Sequence, residues 1–346
     1  MKVFDGHNDV LTKLLDAGGV AAADGFLTSL PGHIDAAKAQ VGGLAGGFFA
    51  IWPPSRMDLG GIVEQMVNPP YDLPLPSMVD QGEALNVTLA QAAILNRLEE
   101  IGALAICLTA DDIDAAIAAD RMAAVMHLEG ADGIDPDLHA LDVLYRAGLR
   151  SLGPVWSRPT IFAEGVPFTH PATPDIGGGL TEAGERLIRR YNALGVMIDL
   201  SHLNEAGFWD VARLSDAPLV ATHSNAHAIC PHARNLTDRQ LDAIRETGGV
   251  VGLNFAVAFL REDGAMLADT PVETMIRHLD HLLEKLGEDG VALGSDFDGA
   301  VTPAAIGGAE GLPVLVDAMA AAGYGDALIA KICHRNWIDL LRRTQS

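Results

Sequence analysis

Short apolar runs alternate with longer segments of helical periodicity along most of this chain. The runs are rich in branched residues and are followed by polar turns, which is typical of parallel strands buried on both faces. Main strands are predicted over residues 3–10, 47–53, 122–129, 149–156, 196–202, 219–223, 249–255 and 291–298. A further short run at 103–108 is predicted as an accessory strand.

Apolar residues at helical spacing occupy the intervals between these runs. Helices are predicted over 81–101, 110–119, 137–147, 181–194, 203–217, 237–246, 271–286 and 327–342. Two segments rich in proline and glycine, 56–79 and 157–179, are predicted as long loops. The strict alternation predicts a single α/β domain over residues 1–346, a (β/α)8 TIM barrel with long loops at the carboxyl face of the strands. A doubly wound open sheet is the alternative, but no GxGxxG motif follows the first strand.

Composition argues against several classes of partner. The chain has 346 residues, 49% of them hydrophobic, and a formal net charge of −23. Nucleic acids and anionic membrane surfaces select basic patches, so neither is expected to bind. The three cysteines are far apart and form no CxxC pair, so they are predicted to be free thiols. With no apolar signal-peptide core and no long apolar stretch, we expect a cytoplasmic protein.

Candidate functional residues lie where the predicted strands end. The carboxyl ends of parallel strands share one edge, so side chains placed there converge. A single histidine at such a position is more often a structural hydrogen-bonding group, but several histidines and carboxylates on one rim favour a metal site. The residues at this edge are His7, Asp9, Glu129, Trp156, His202, His223, Asn254 and Asp296.

Five of these residues are predicted ligands, because imidazole and carboxylate groups are donors that divalent metal ions prefer. His7 and Asp9 are two positions apart on one strand, so both point to the same side and can bind one ion. His202 and His223, on neighbouring strands, would bind a second ion, and Glu129 has two oxygens with which to bridge the pair. Two such ions can share a hydroxide and polarise a carbonyl.

Asp296 lies on the last predicted strand and is not needed as a ligand. Its position suits a general acid/base that takes a proton from the bridging water and passes it to a leaving amine. Asn254, at the end of the preceding strand, is predicted to contact the substrate.

The same residues carry a resemblance to a known family. The matching motifs are DGHND at 5–9, LEG at 128–130, IDLSH at 198–202, HSNA at 223–226, CPHARNLTD at 230–238 and GSDFDG at 294–299. The chain resembles the membrane (renal) dipeptidase family, the M19 metallopeptidases of the amidohydrolase superfamily. This resemblance implies two zinc ions per chain, held by the five ligands above, with Asp296 as general acid/base. It also implies a homodimer and hydrolysis of dipeptides, often with a D-residue on the C-terminal side.

Two further positions take substrate roles from the resemblance. Arg234 matches the family arginine that grips the substrate's C-terminal carboxylate, a role that suits a planar bidentate fork. An arginine bound to loop carbonyls is the competing interpretation. The family's substrate-contacting histidine corresponds to Trp156, whose indole N–H is only a donor.

We therefore predict a zinc-dependent dipeptidase that acts on small dipeptides through a metal-bridging hydroxide. One alternative keeps the binuclear site but changes the substrate to another small amide, such as an N-acyl amino acid or a lactam. A second alternative is a metal-binding barrel without catalysis, which the tryptophan at position 156 motivates.

Overall fold

Parallel strands form the centre of the molecule. The computed structural model describes residues 1–55 and 59–344. Its strands are β1 (Val3–Asn8), β2 (Leu44–Ile51), β3 (Tyr71–Asp72), β4 (Leu104–Ile106), β5 (Met122–Glu129), β6 (Leu149–Gly153), β7 (Thr169–His170), β8 (Met197–Ile198), β9 (Val220–Ala221), β10 (Val250–Asn254) and β11 (Val291–Gly294). Every predicted strand is confirmed, including the accessory strand, now β4.

Two of the strands are much shorter than the sequence predicts. The apolar runs at 196–202 and 219–223 keep only two residues each in strand geometry, as β8 and β9. The cause is a buried carboxylate: Asp199 Oδ1 accepts the backbone N–H of Ser201 at 3.0 Å and that of Thr222 at 2.8 Å. These two amides bond a side chain instead of a neighbouring strand, and the chain turns away from the sheet there.

The main strands form two parallel sheets. One has the order β1-β2-β5-β6-β8, with β4 also paired to β5, and the other has the order β11-β10-β9. A single parallel bridge joins Asn8 to Phe297, and another joins Asp199 to Val220, so the sheets meet along both outer edges. The predicted α/β fold is confirmed as a curled parallel sheet.

Helices cover the outside of the sheet. They are α1 (Val10–Asp16), α2 (Gly25–Thr28), α3 (Ala36–Gly42), α4 (Leu59–Met66), α5 (Gln81–Glu100), α6 (Ala110–Ala118), α7 (His139–Ala147), α8 (Glu182–Leu194), α9 (Glu205–Leu214), α10 (Asp238–Glu246), α11 (Val257–Leu260), α12 (Val272–Leu286), α13 (Leu312–Ala321), α14 (Asp326–Ala330) and α15 (Asn336–Thr344). None of these helices is long and apolar enough to cross a membrane.

Two sequence predictions need correction. The expected helix over 327–342 is interrupted by the π-helical turn Lys331–Arg335, which separates α14 from α15. The expected loop over 56–79 contains α4 and β3, while its residues 56–58 lie outside the described part of the chain. It gains order because Met66 and Tyr71 are buried in an apolar cluster with Phe259. In addition, β3 pairs antiparallel with β7, so the two proline-rich segments meet over the carboxyl edge.

The apolar core has two main parts. The larger part lies between the sheet and the surrounding helices. The smaller part includes inward-facing residues of the strands, such as Phe4, Phe48 and Val125. Trp337 on α15 is fully buried in this second part, and its indole N–H donates to the carbonyl of Leu293 at 2.9 Å. The core fixes the strand positions and therefore the positions of the side chains at their ends.

Candidate metal centre

All five predicted ligands lie together at the carboxyl edge of the sheet. His7 belongs to β1 and Asp9 follows that strand, while Glu129 is the last residue of β5. His202 and His223 lie beyond the ends of β8 and β9, in the turns that Asp199 organises. His202 has a φ of 68°, in the left-handed region that non-glycine residues rarely adopt.

Three imidazoles surround one carboxylate oxygen. Glu129 Oε1 lies 2.9 Å from His202 Nε2 and 3.4 Å from His223 Nε2. It also lies 3.6 Å from His7 Nε2, which is 3.4 Å from Asp9 Oδ2. The Nε2 atoms of His202 and His223 are 3.1 Å apart. All five side chains are buried.

The donor set fits a divalent metal ion. Two groups of donor atoms contain His7, and within each group the atoms lie within 4.8 Å of one another. One group consists of His7, Glu129 and His223, and the other of His7, Asp9 and Asp296. Neither nitrogen of His7 has a hydrogen-bond partner among the described residues. Buried polar atoms without a partner are rare in native proteins, and a metal ion that takes the lone pair of His7 Nε2 would account for that atom.

Electrostatics in the cluster also favour a cation. Burial lowers the pKa of His7, but the carboxylates of Glu129 and Asp9 outweigh this effect and raise it to about 10. Burial raises the pKa of Glu129 well above its usual range. It also lowers the pKa values of His202 and His223, so both rings are neutral. The carboxylates therefore need a positive charge beside them, and a metal ion can take the place of the proton on His7.

A relay behind His223 fixes which ring nitrogen carries the proton. The hydroxyl of Thr222 donates to Asp199 Oδ2 at 2.6 Å. Since its single proton is used there, it accepts from His223 Nδ1–H, which is 2.8 Å away. His223 Nε2 is therefore unprotonated, with its lone pair on the side of Glu129.

His202 has two neighbours on its other nitrogen. The hydroxyl of Ser157 lies 2.8 Å from Nδ1, and Arg234 Nε donates to the same atom at 3.0 Å. Arg234 also donates through Nη1 to Ser224 Oγ at 2.9 Å and through Nη2 to the carbonyl of His223 at 3.0 Å. The arginine is thus at the centre, as predicted, and also bonds a backbone carbonyl, as the competing interpretation expects.

Asp296 lies beside the cluster with its backbone held in an unusual conformation. Its φ is 59°, and its N–H donates to the carbonyl of His7 at 3.0 Å. A Cβ on Gly299 would lie 2.6 Å from Asp296 Oδ1 and 2.2 Å from Asp9 Oδ2, so any larger residue there would displace these two carboxylates. Burial raises the pKa of Asp296, while the positive charge of His7 opposes that rise.

Asn254 lies behind Asp296. Its Nδ2 donates to Asp296 Oδ2 at 2.9 Å, and its Oδ1 accepts the backbone N–H of Ala256 at 2.6 Å. Both ends of the amide are therefore engaged within the protein, and a direct contact with substrate stays a prediction. Trp156 is 8% exposed, and its ring centroid lies 5.8 Å from that of His202.

Sequence reasoning missed the residues that support the ligands. Asp199 and Thr222 are fully buried behind the cluster, and Ser157 contacts His202. Two of them adjoin recognised motifs, since Asp199 lies within IDLSH and Thr222 precedes the histidine of HSNA. A polar residue inside an otherwise apolar run was the available signal, because a buried polar group needs a partner.

Comparisons with known proteins find one family model and several peptidases that are similar to this chain. The family model described as membrane dipeptidase (peptidase family M19) matches residues 1–346. A metallopeptidase from Rhodobacter sphaeroides, solved with a phosphinate mimic of the dipeptide L-Ala-D-Ala, is 52% identical with a TM-score of 0.98, covering 99% of each chain. The dipeptidase AC, a metallopeptidase of family M19, is 52% identical with a TM-score of 0.97, covering 100% of this chain and 99% of its own. Dipeptidase tcpJ of Claviceps purpurea (strain 20.1) is 26% identical over 99% of this chain and 76% of its own length.

Proposed function

The chain belongs to the membrane dipeptidase family, peptidase family M19, and is a metallodipeptidase; from this premise we propose that its buried cluster holds two zinc ions and hydrolyses small dipeptides, including L-Xaa-D-Xaa. The observation that carries the proposal is the convergence of three histidine Nε2 atoms on Glu129 Oε1, with Asp9 and Asp296 alongside. The relative bound to a mimic of L-Ala-D-Ala supports the substrate class.

The ligands of the two ions are those of the sequence prediction. His7 and Asp9 would hold one ion, His202 and His223 the other, and Glu129 would contact both. When bound, the ions supply Lewis acidity and lower the pKa of a bound water molecule to a value near neutral pH. Mixed nitrogen and oxygen donors suit zinc. The relay through Thr222 to Asp199 leaves His223 Nε2 without a proton, which supports its assignment as a ligand.

Asp296 is the general acid/base in this proposal. Its carboxylate lies in one group of donor atoms with His7 and Asp9, so it would be placed to exchange a proton with water held at that site. The bond from Asn254 Nδ2 holds Oδ2 in place, so Oδ1 is the oxygen that takes the proton and passes it to the leaving amine. In this proposal Asn254 contributes to catalysis by orienting the carboxylate of Asp296.

Arg234 binds the substrate's C-terminal carboxylate. A ligand role for His202 Nε2 requires the ring proton on Nδ1, where the Ser157 hydroxyl can accept it. That proton excludes the contact from Arg234 Nε, which is then available to a carboxylate. The guanidinium is fully buried, and a carboxylate partner would balance its charge.

Burial of the site supports a small substrate. Asp9, Glu129 and His202 are each no more than 6% exposed. A long peptide would need a groove, whereas a dipeptide can be enclosed.

We further propose that the strands close into a full (β/α)8 barrel, which the bridges from Asn8 to Phe297 and from Asp199 to Val220 support.

A dipeptide panel tests the proposed function. Protein reconstituted with zinc is assayed on L-Xaa-L-Xaa and L-Xaa-D-Xaa dipeptides, on N-acyl amino acids and on lactams, with metal content measured in the same samples. We expect dipeptide turnover and two zinc ions per chain. Turnover of only the other amides would establish the alternative substrate class, and two bound zinc ions without turnover would reject catalysis of these reactions.

A further inference from the structure

Arg158 is a fully buried arginine close to the metal centre, with no role in the proposed chemistry. Its Nε donates to Asp132 Oδ1 at 2.8 Å and its Nη2 to Oδ2 at 3.0 Å, a bidentate ion pair. Nη1 donates to Ser55 Oγ at 2.7 Å, and Nη2 also donates to the carbonyl of Pro53 at 2.6 Å. The side chains of Arg158 and Asp132 are 0% and 1% exposed.

This ion pair joins three segments that leave the carboxyl edge of the sheet. Pro53 and Ser55 follow β2, Asp132 follows β5, and Arg158 follows β6. The local backbone is built for the contact: a Cβ on Gly130, whose φ is 93°, would lie 2.5 Å from Asp132 Oδ2. Replacing a buried ion pair by an apolar pair of similar volume is often neutral for stability, whereas the bidentate geometry of this pair holds the segments that it joins in one arrangement.

Two tryptophans lie against the guanidinium. Arg158 Cζ is 5.9 Å from the ring of Trp52 and 5.6 Å from the ring of Trp156. The two indoles are 5.1 Å apart, and Trp156 is the one that reaches His202. The backbone of Trp52 is also fixed, because Gln91 accepts from its N–H at 2.8 Å and donates to its carbonyl at 2.9 Å.

The tryptophan pair has unused capacity to bind a ligand. Trp52 is 7% exposed, yet its Nε1–H has no acceptor among the residues the structure describes. Buried indole N–H groups usually find a partner. An oxygen of a bound substrate would supply one, and the adjoining ring faces would pack against its side chain.

We propose that the Arg158–Asp132 ion pair is a positioning unit that holds Trp52 and Trp156 as a substrate-binding wall beside the metal centre, and that this wall restricts the enzyme to small substrate side chains. The proposal rests on the proposed dipeptidase function for its substrate. Arg158 lies against the two indoles and Asp132 holds Arg158, so both residues act on substrate only through the tryptophans.

Side-chain discrimination is the first test. R158K keeps the charge but loses the planar fork, and D132N keeps the volume but weakens the pair. Wild type and both variants are assayed on L-Ala-Xaa and Xaa-D-Ala dipeptides in which Xaa is Gly, Ala, Leu or Phe. We expect wild type to prefer Gly and Ala over Phe. In both variants that preference should shrink at least 10-fold, through KM more than kcat, with metal content unchanged.

A matched control separates positioning from stability. L282A removes a buried side chain on α12, away from the wall, and lowers stability without touching either indole. It should lower kcat/KM for all substrates alike, if at all. An equal change across the panel in R158K and D132N, matching L282A, would overturn the proposal.

A second measurement does not depend on turnover. Acrylamide quenching of tryptophan emission should increase in R158K over wild type, because released indoles become more accessible. If wild type cleaves no dipeptide, the proposed function fails, and quenching still decides the positioning role. Unchanged quenching in both variants would reject it.

Discussion

The relay from Asp199 through Thr222 to His223 gives the sharpest prediction about metal binding. Thr222→Val keeps the shape of a buried, β-branched side chain but removes the hydroxyl. Two hydrogen bonds are lost together: the 2.8 Å bond from His223 Nδ1–H to the hydroxyl and the 2.6 Å bond from the hydroxyl to Asp199. We expect the variant to fold, because the backbone N–H groups of Ser201 and Thr222 still bond Asp199 Oδ1.

The size of the effect follows from what the hydroxyl does. Loss of the partner that orients a metal-binding histidine typically weakens metal affinity by about 10- to 100-fold, or about 1.4–2.8 kcal/mol. Without the hydroxyl, Nδ1–H is a buried donor with no acceptor, and the proton can move to Nε2, where it blocks the ligand position. The ion that we propose His202 and His223 to hold should therefore be lost first.

Competition with a zinc chelator measures the affinity of each site in wild type and variant. Thr88→Val is the matched control, since Thr88 is also a buried threonine but its hydroxyl bonds only the carbonyl of Ala84 within α5. It should bind zinc like wild type. A zinc affinity in Thr222→Val within threefold of that of Thr88→Val would refute the relay.

Three further predictions concern single residues. Asp296→Asn should lower kcat by about 10²- to 10⁴-fold with metal content unchanged, as measured by steady-state kinetics and metal analysis; loss of metal would make Asp296 a ligand instead. Arg234→Lys should raise KM about 10-fold for dipeptides but not for C-terminally amidated analogues, and equal losses on both would contradict carboxylate binding. Burial lowers the pKa of His278 to about 4, and Nδ1 accepts from Ala226 N–H while Nε2 donates to Leu260 O. In the unfolded chain His278 takes up a proton below about pH 6.5, so the free energy of unfolding falls as pH falls from about 6.5 to about 4. Urea unfolding should show that this free energy falls by about 3 kcal/mol less in His278→Gln than in wild type over the same range. An equal dependence on pH in the two proteins would exclude this role of His278.

Alternation of apolar runs and helical segments was enough to predict the α/β fold and the positions of its parallel strands, but not the short antiparallel pair β3 and β7, which lies in segments predicted as loops. The reason is geometric: parallel strands linked by helices all end at one edge, so residues as distant as His7 and Asp296 are brought together by topology alone. The π-helical interruption before α15 and the helix α4 were not predicted, and both adjoin residues buried in the core, Trp337 and Met66, where tertiary packing can override local propensity.

The roles of side chains around the ligands needed the tertiary structure. Sequence spacing placed Asn254 at the edge but not its bond to Asp296, and it gave no sign that Arg158 pairs with Asp132. These contacts join loops from different strands, and their geometry depends on how each loop packs after its strand ends. Residue spacing was therefore sufficient to predict which chemical groups meet at the carboxyl edge. Which of those groups share a proton or form an ion pair depended on loop packing, because hydrogen bonds require ångström-scale distances that residue periodicity does not encode.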